Sequence, residues 1–429
     1  MEIKKLNSLE KNFFYKLKGH LSINDSNIKK VESVVDSIIK DIRKSQDKSL
    51  LRFIKKYEKL SYKNISDSIV SKSEIEEAYK LVPKKIFSNL KKSIANIRSY
   101  SKNQLLKSWY INHKGSRIGE RVLPLSRVGV YVPGGKASYP STVLMNTIPA
   151  KIAGVKNITM VSPPIDGVIN PLVLVAADLC GVNRIYKFGG AHSVAALAYG
   201  TESIACVDKI VGPGNIFVAM AKKKVFGTVG IDSFAGPSEI LIIADKNADP
   251  DCIAIDLFAQ SEHDELAQSI LLTSSNNLIT NVSRSIDSLI QTQVRKKVIL
   301  KSLTNRGLFI KAKNKMDIIE IANLISPEHL EIIGYDEEKL ASKILNAGAI
   351  FLGPNSPEVF GDYCAGPNHV LPTGGTARYA SPLGVYDFLK RTSMMKISKK
   401  HASELSDISS SIAECEGLFS HAESAKYRK

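Results

Sequence analysis

Cysteine is scarce in this chain of 429 residues. The five present, Cys180, Cys206, Cys252, Cys364 and Cys415, stand far apart, and no C-x-x-C pair occurs. An odd, dispersed set excludes both a disulfide framework and a thiolate zinc cluster, and it fits the reduced thiols of a cytoplasmic protein. No stretch approaches the ~18 uninterrupted apolar residues of a membrane span. The N-terminus, MEIKKLNSLEKNFFYKLKGH, scatters charges through its apolar residues and has no small-residue cleavage site, so it does not read as a secretory signal. Glu2 and Glu10 speak against a basic targeting helix. Glycine is nearly absent before residue 110, so turns there are few. A G-x-G-x-x-G after a strand is also missing. Gly212-Pro213-Gly214-Asn215-Ile216-Phe217 comes nearest and lacks the third glycine, so pattern alone leaves dinucleotide binding open.

Acidic residues are outnumbered, and the formal net charge is +17. Such a balance invites a nucleic-acid partner. The excess is mostly lysine, however, and it is spread along the chain with a concentration in the first ~110 residues. The aromatics among those lysines (Phe13, Phe14, Tyr15, Tyr57, Tyr62) sit at helical spacings that suit packing. Neither a nucleic-acid nor a membrane partner is expected.

The chain is long for one core, so at least two lobes are expected. Residues 1 to about 110 read as almost wholly helical, with apolar residues three and four apart, as in Val34, Ile38, Ile39 and Ile42. At Arg127 the texture changes. RVGVYVPGG reads as a buried strand entering a glycine turn. Apolar strands and helical stretches then alternate. NITMVSPP precedes PLVLVAADLCGV, RIYKFGGA precedes HSVAALAYG, and DKIVGPGN precedes IFVAMAKKKVFG. SEILIIAD follows, then a helix DPDCIAIDLFAQSEH, then further strands in SILLTSS, GLFIKAK, EIIGYD and AIFLGPN. This alternation predicts α/β architecture, with parallel sheets covered on both faces and ligands at the edge where strands end in glycine turns. Residues 354–387 are rich in glycine and proline and read as a long irregular, functional loop. A last helix is expected over roughly Glu404 to Ala425.

Several polar groups stand out against this frame. In Gln260-Ser261-Glu262-His263 the outer residues are three apart, which puts both on one face of a helix and within reach of one metal ion. A helix-end histidine bonded to carbonyls explains the same pattern. Glu328-His329, after Pro327, reads as a turn presenting a carboxylate and an imidazole to one cavity for proton transfer; a solvated helix end is the alternative. Asp362 and His369 lie in the irregular run. Glu416 and His421 lie five apart on the last helix and do not share a face well.

Together these segments resemble the histidinol dehydrogenase family. The matching blocks are RVGVYVPGG, YPSTVLMNTIPAKIAGV, FGGAHSVAALAYGT, VGPGN, AGPSEILIIAD, DLFAQSEH, PEHLE, GDYCAGPNHVLPTGGTAR and EGLFSHAES, which run from Arg127 to the C-terminus. The resemblance implies two NAD-dependent oxidations of L-histidinol, through L-histidinaldehyde to L-histidine. It implies Gln260, His263, Asp362 and His421 as ligands of one zinc ion per subunit, with His421 supplied by the partner in a homodimer. The same four residues, with His329, Ser238 and Glu416, would contact the substrate. His329 would be the main acid–base group and Glu328 the base that activates water. Tyr131, His192 and Asn215 match positions that touch NAD. His192 stands where the family usually has glutamine, which puts that one contact in doubt.

The fold so implied is two incomplete Rossmann-like lobes related to aldehyde dehydrogenases. Residues 128–239 would form the NAD-side lobe, and residues 21–127 with 240–380 the lobe carrying zinc and catalytic residues. Residues 1–20 and 381–429 would be helical arms that clasp a second subunit. A zinc-dependent hydrolase or lyase on a similar scaffold, and a basic binding protein without catalysis, are the rival readings.

Overall fold

The computed structural model describes residues 3–22, 28–134, 139–233 and 236–429. Two parallel sheets carry it. The smaller has the strand order Arg184–Tyr186, Asn157–Val161, Arg127–Tyr131, Lys209–Val211, Gly230–Ile231. The larger runs Lys4–Asn7, Leu308–Lys311, Gln268–Thr273, Glu239–Ala244, His329–Ile333, Ala349–Leu352. Glu239–Ala244 and Gln268–Thr273 are buried at every position, as strands covered on both faces must be. That explains their unbroken apolar runs, which alternate with neither face.

Helices cover both sheets, and most begin with local chemistry that the sequence carries openly. Asp249 caps the helix Pro250–Ser261 by accepting from the Asp251 N–H, with proline at its start. Asn170 and Asn215 do the same for Pro171–Leu179 and Ile216–Val225. Ser71 and Glu74 form a reciprocal capping box for Lys72–Leu81.

The expected alternation is present throughout, but the packing of the first third differs from expectation. The helices Ile28–Glu58, Lys72–Leu81 and Lys84–Lys102 pack against the smaller sheet and its helices, not the larger one. Val35, Ile42, Leu50 and Ile54 share a core with Tyr131, Val161 and Leu197. Ile94 and Ile97 share one with Val128, Val130 and Ile158. Periodicity gives each helix an apolar stripe but does not say which sheet it will cover. Within residues 1–20, Lys4–Asn7 pairs in parallel with Leu308–Lys311 as an edge strand, so that segment is part of the larger sheet.

A separate antiparallel sheet joins Trp109–His113, Ser116–Pro124 and Leu389–Lys396, bringing the C-terminal segment back to residue 116. The last helix is in fact two, Lys399–Cys415 and Phe419–Lys426, broken at Gly417 with φ +73°. No helix among the described residues is long and apolar enough to cross a membrane.

Candidate active site

His329 opens its strand instead of sitting on a turn before it. Strand alternation then sends Leu330 and Ile332 into one core while His329 and Glu331 share the other face. The imidazole is 3% exposed. Its Nδ1 lies 3.0 Å from the Glu239 carbonyl oxygen, which fixes the proton on Nδ1. Nε2 is left buried without a hydrogen-bond partner, 3.6 Å from Asp362 Oδ1. Once the ring is neutral, that nitrogen's lone pair has no protein donor and is open to take a proton as a general base does.

Carboxylates surround that ring. Glu328 Oε2 is 3.8 Å from Nδ1 and accepts from the Glu239 N–H at 2.8 Å. Glu358 Oε2 is 3.6 Å from Nδ1, and the Glu358 N–H donates to Glu331 Oε1 at 2.8 Å. Burial pushes the Glu328 and Glu239 carboxyls up to about 7 and Glu331 to about 8. Burial also lifts Glu358 well above the usual carboxylate range, against the pull of His329. For His329 burial works downward, but Glu358, Glu328 and Asp362 outweigh it and hold the imidazole well above its ordinary range.

Gln260, in the last turn of its helix, is fully buried, and neither its Oε1 nor its Nε2 has a partner. An amide stranded so costs roughly 1–3 kcal/mol per unmet group, which calls for a ligand. His263 lies two residues past the helix end, not on its face as the spacing predicted, and its N–H reaches the Gln260 carbonyl at 3.3 Å. Burial lowers its pKa, which keeps a lone pair available at neutral pH. Asp362 belongs to the short helix Glu358–Tyr363, inside the run expected to be irregular. Burial alone would raise its pKa, but His329, His369 and His263 together lower it. His369 Nδ1 meets the Asp362 carbonyl oxygen at 3.0 Å.

His263, Asp362, His369 and His329 act on one another electrostatically and so share one neighbourhood. Glu416 and His421 are exposed on the C-terminal segment and make no hydrogen bond or ion pair with that group. Among the described residues, no three His, Cys, Asp or Glu side chains of this one chain are grouped to hold an ion. The donor set nevertheless fits a divalent metal: a neutral imidazole, an ionised carboxylate and an unsatisfied amide oxygen, beside a cluster of buried carboxyl groups.

On the smaller sheet, the turns after its strands close on one another. A Cβ at Gly212 would lie 2.1 Å from the Tyr131 carbonyl oxygen, and one at Gly134 would lie 2.1 Å from that of Pro163. Gly135 is outside the described residues. The Tyr131 hydroxyl accepts from the Gly190 N–H at 3.1 Å, so this buried side chain supports the Gly189-Gly190 turn from beneath. His192 is likewise buried, its Nε2 3.0 Å from Glu58 Oε1, which also accepts from the Gly189 N–H. Asn215 Oδ1 caps its helix through Phe217 and Val218. Ser238 immediately precedes the strand that starts at Glu239.

Sequence reasoning missed Glu58, Glu239, Glu331 and Glu358. Glu331 carried a signal, a lone charge inside the apolar run HLEII, because a charge there must be paired or functional. Glu58 and Glu358 carried none, since helix-end glutamates are ordinary surface residues.

The fold and site define an α/β protein built on two parallel sheets, with a buried cluster of carboxyl and imidazole groups beside candidate metal ligands and a glycine-lined strand edge. Residues 21–429 match the histidinol dehydrogenase family as a whole. A histidinol dehydrogenase of Hydrogenovibrio crunogenus is 48% identical over 100% of this chain and 99% of its own length. One from Neisseria meningitidis serogroup A is 46% identical over 99% of this chain and 100% of its own. The crystal structure of histidinol dehydrogenase from Elizabethkingia anophelis superposes with a TM-score of 0.92 at 34% identity, covering 99% of this chain and 98% of that one. The chain belongs to the histidinol dehydrogenase family.

Proposed function

We propose that the protein oxidises L-histidinol twice, through L-histidinaldehyde, to L-histidine, with NAD as hydride acceptor, as a cytoplasmic enzyme. The observation that carries this is His329, whose unpartnered Nε2 lies 3.6 Å from Asp362, with the neutral His263 acting on both and the unpartnered Gln260 amide three residues before His263 in the chain. Gln260, His263 and Asp362 would hold a zinc ion, with His421 coming from the partner subunit of a homodimer. When bound, zinc supplies a Lewis-acid anchor for the substrate's imidazole and amino nitrogens. Gln260, His263, Asp362, His421, Ser238 and Glu416 then fix the amino alcohol so that its hydroxyl meets His329, a gain of orientation over random encounter.

In the first oxidation, His329 Nε2 takes the hydroxyl proton as the hydride leaves the alcohol carbon. The Glu239 carbonyl stabilises the Nδ1–H of the imidazolium so formed. In the second, Glu328 takes a proton from water as the water oxygen bonds to the aldehyde carbon, and a second hydride leaves the hydrate. Its carboxyl, raised to about 7 by burial, suits that task near neutrality. Asn215, with Tyr131 and His192 holding the glycine turns, would form the NAD edge.

The test is a time course of NADH formed per histidinol, with and without a chelator. Two NADH per substrate that vanish on metal removal and return with zinc are expected. No NADH would favour a metal-dependent hydrolase, and one NADH would limit the enzyme to the alcohol step.

A further inference from the structure

In the smaller sheet the strand order reverses between Arg127–Tyr131 and Lys209–Val211, and the crevice at such a reversal is where α/β sheets take ligands. The residue that closes Lys209–Val211 is Gly212, with φ +108° and its Cα pressed against the Tyr131 carbonyl. The ladder stops there, so its peptide groups need other partners. They find a buried ion pair. Lys222 Nζ donates to the Gly212 carbonyl at 2.8 Å. The Gly212 N–H donates to Asp232 Oδ2 at 2.7 Å. Lys222 and Asp232 also form an ion pair, and each side chain is 3% exposed.

Lys222 stands apart from its neighbour on the helix Ile216–Val225: Lys224 pairs outward with Glu32 and Asp36. A lysine sunk this deep is rare unless paired, and replacing a buried ion pair by apolar residues of similar volume is often neutral for stability. Gly212, the residue so clamped, lies three residues before Asn215, whose side chain caps the helix that carries Lys222. We propose that Lys222 and Asp232 are positioning residues for dinucleotide binding, holding Gly212 so that Asn215 and the helix start keep the geometry a pyrophosphate-linked nucleotide needs. This rests on the nicotinamide reading above.

The experiment is a fluorescence titration of the zinc-loaded dimer with NADH, alongside thermal melting and the KM for histidinol. Wild-type protein that bound no NADH would remove the nicotinamide reading and this inference with it. Given binding, the apolar pair Lys222→Met with Asp232→Leu is expected to melt within about 3 °C of wild type. Its NADH affinity should fall about tenfold or more, while the KM for histidinol holds. The neutral pair Lys222→Gln with Asp232→Asn can keep both bonds to Gly212 and should recover NADH affinity to within about threefold. Unchanged NADH affinity in the apolar pair would overturn the proposal with the nicotinamide reading intact. So would an apolar pair that does not fold, since the clamp would then serve stability.

Discussion

Glu328 and His329 are adjacent, yet the chain gives them different surroundings. His329 has its proton fixed on Nδ1 and a free Nε2, whereas Glu328 has one oxygen committed to the Glu239 N–H. Their loss should therefore separate the two oxidations. His329→Ala should lower kcat by at least ~10²-fold, with zinc content and circular dichroism preserved. Glu328→Gln should still form the first NADH but stall at the aldehyde, so that NADH per histidinol drops from two towards one. A carboxylate base works only when ionised, so aldehyde oxidation should rise with pH through about 7 in wild type, and Glu328→Gln should lose that rise. Normal turnover by His329→Ala, or a full second NADH from Glu328→Gln, would refute the division of labour. At this scale the sequence named the pair without its geometry. PEHLE placed the two together, but only the neighbouring strand could supply the Glu239 carbonyl that sets the tautomer.

Strand starts in the larger sheet gather buried titratable groups: Glu239 and His329 each open a strand, and Glu331 lies two residues further on. These elements bury acids that would be hydrated in the unfolded chain. Glu239 and Glu328 are raised to about 7 and Glu331 to about 8 from an ordinary 4.5. In the native state such groups hold protons that the unfolded state has released. Their favourable contribution is thus full below about 4.5 and is lost as pH climbs to about 8. Metal-free protein should melt at progressively lower temperature across that interval, and zinc should flatten the slope. A melting temperature that rose with pH in the metal-free protein would contradict this account. The run 354–387 is largely irregular, as expected, but one helix inside it was missed for a related reason. Glu358–Tyr363 is a helix of only six residues, too short for periodicity to reveal, and it forms because Glu358 binds Glu331 and Asp362 faces the histidines.

The whole molecule leaves His421 and Glu416 exposed on its C-terminal segment, away from the contacts of Gln260 and His329. If the proposed site is completed by a second copy, His263→Ala and His421→Ala should each be inactive alone. Refolded together, their mixed dimers should regain activity, because one of the two sites then carries neither defect while the other carries both. Mixed dimers that form yet stay inactive would show that His421 does not act across subunits.

By itself the sequence determined most elements of the two parallel sheets and their covering helices, since strand and helix periods, asparagine and aspartate caps, and glycine turns are local properties of consecutive residues; it missed the antiparallel sheet of Trp109–His113, Ser116–Pro124 and Leu389–Lys396. It also determined which side chains were available for chemistry. Tertiary structure decided which sheet the first helices cover, that Lys4–Asn7 becomes an edge strand, that Glu58 meets the Gly189 turn, and that Glu239, Glu331 and Lys222 are buried among partners far along the chain. The physical reason is burial. Desolvation and the pairing of charges depend on what lies across a few ångströms of space, and no pattern of neighbours along the chain encodes that distance.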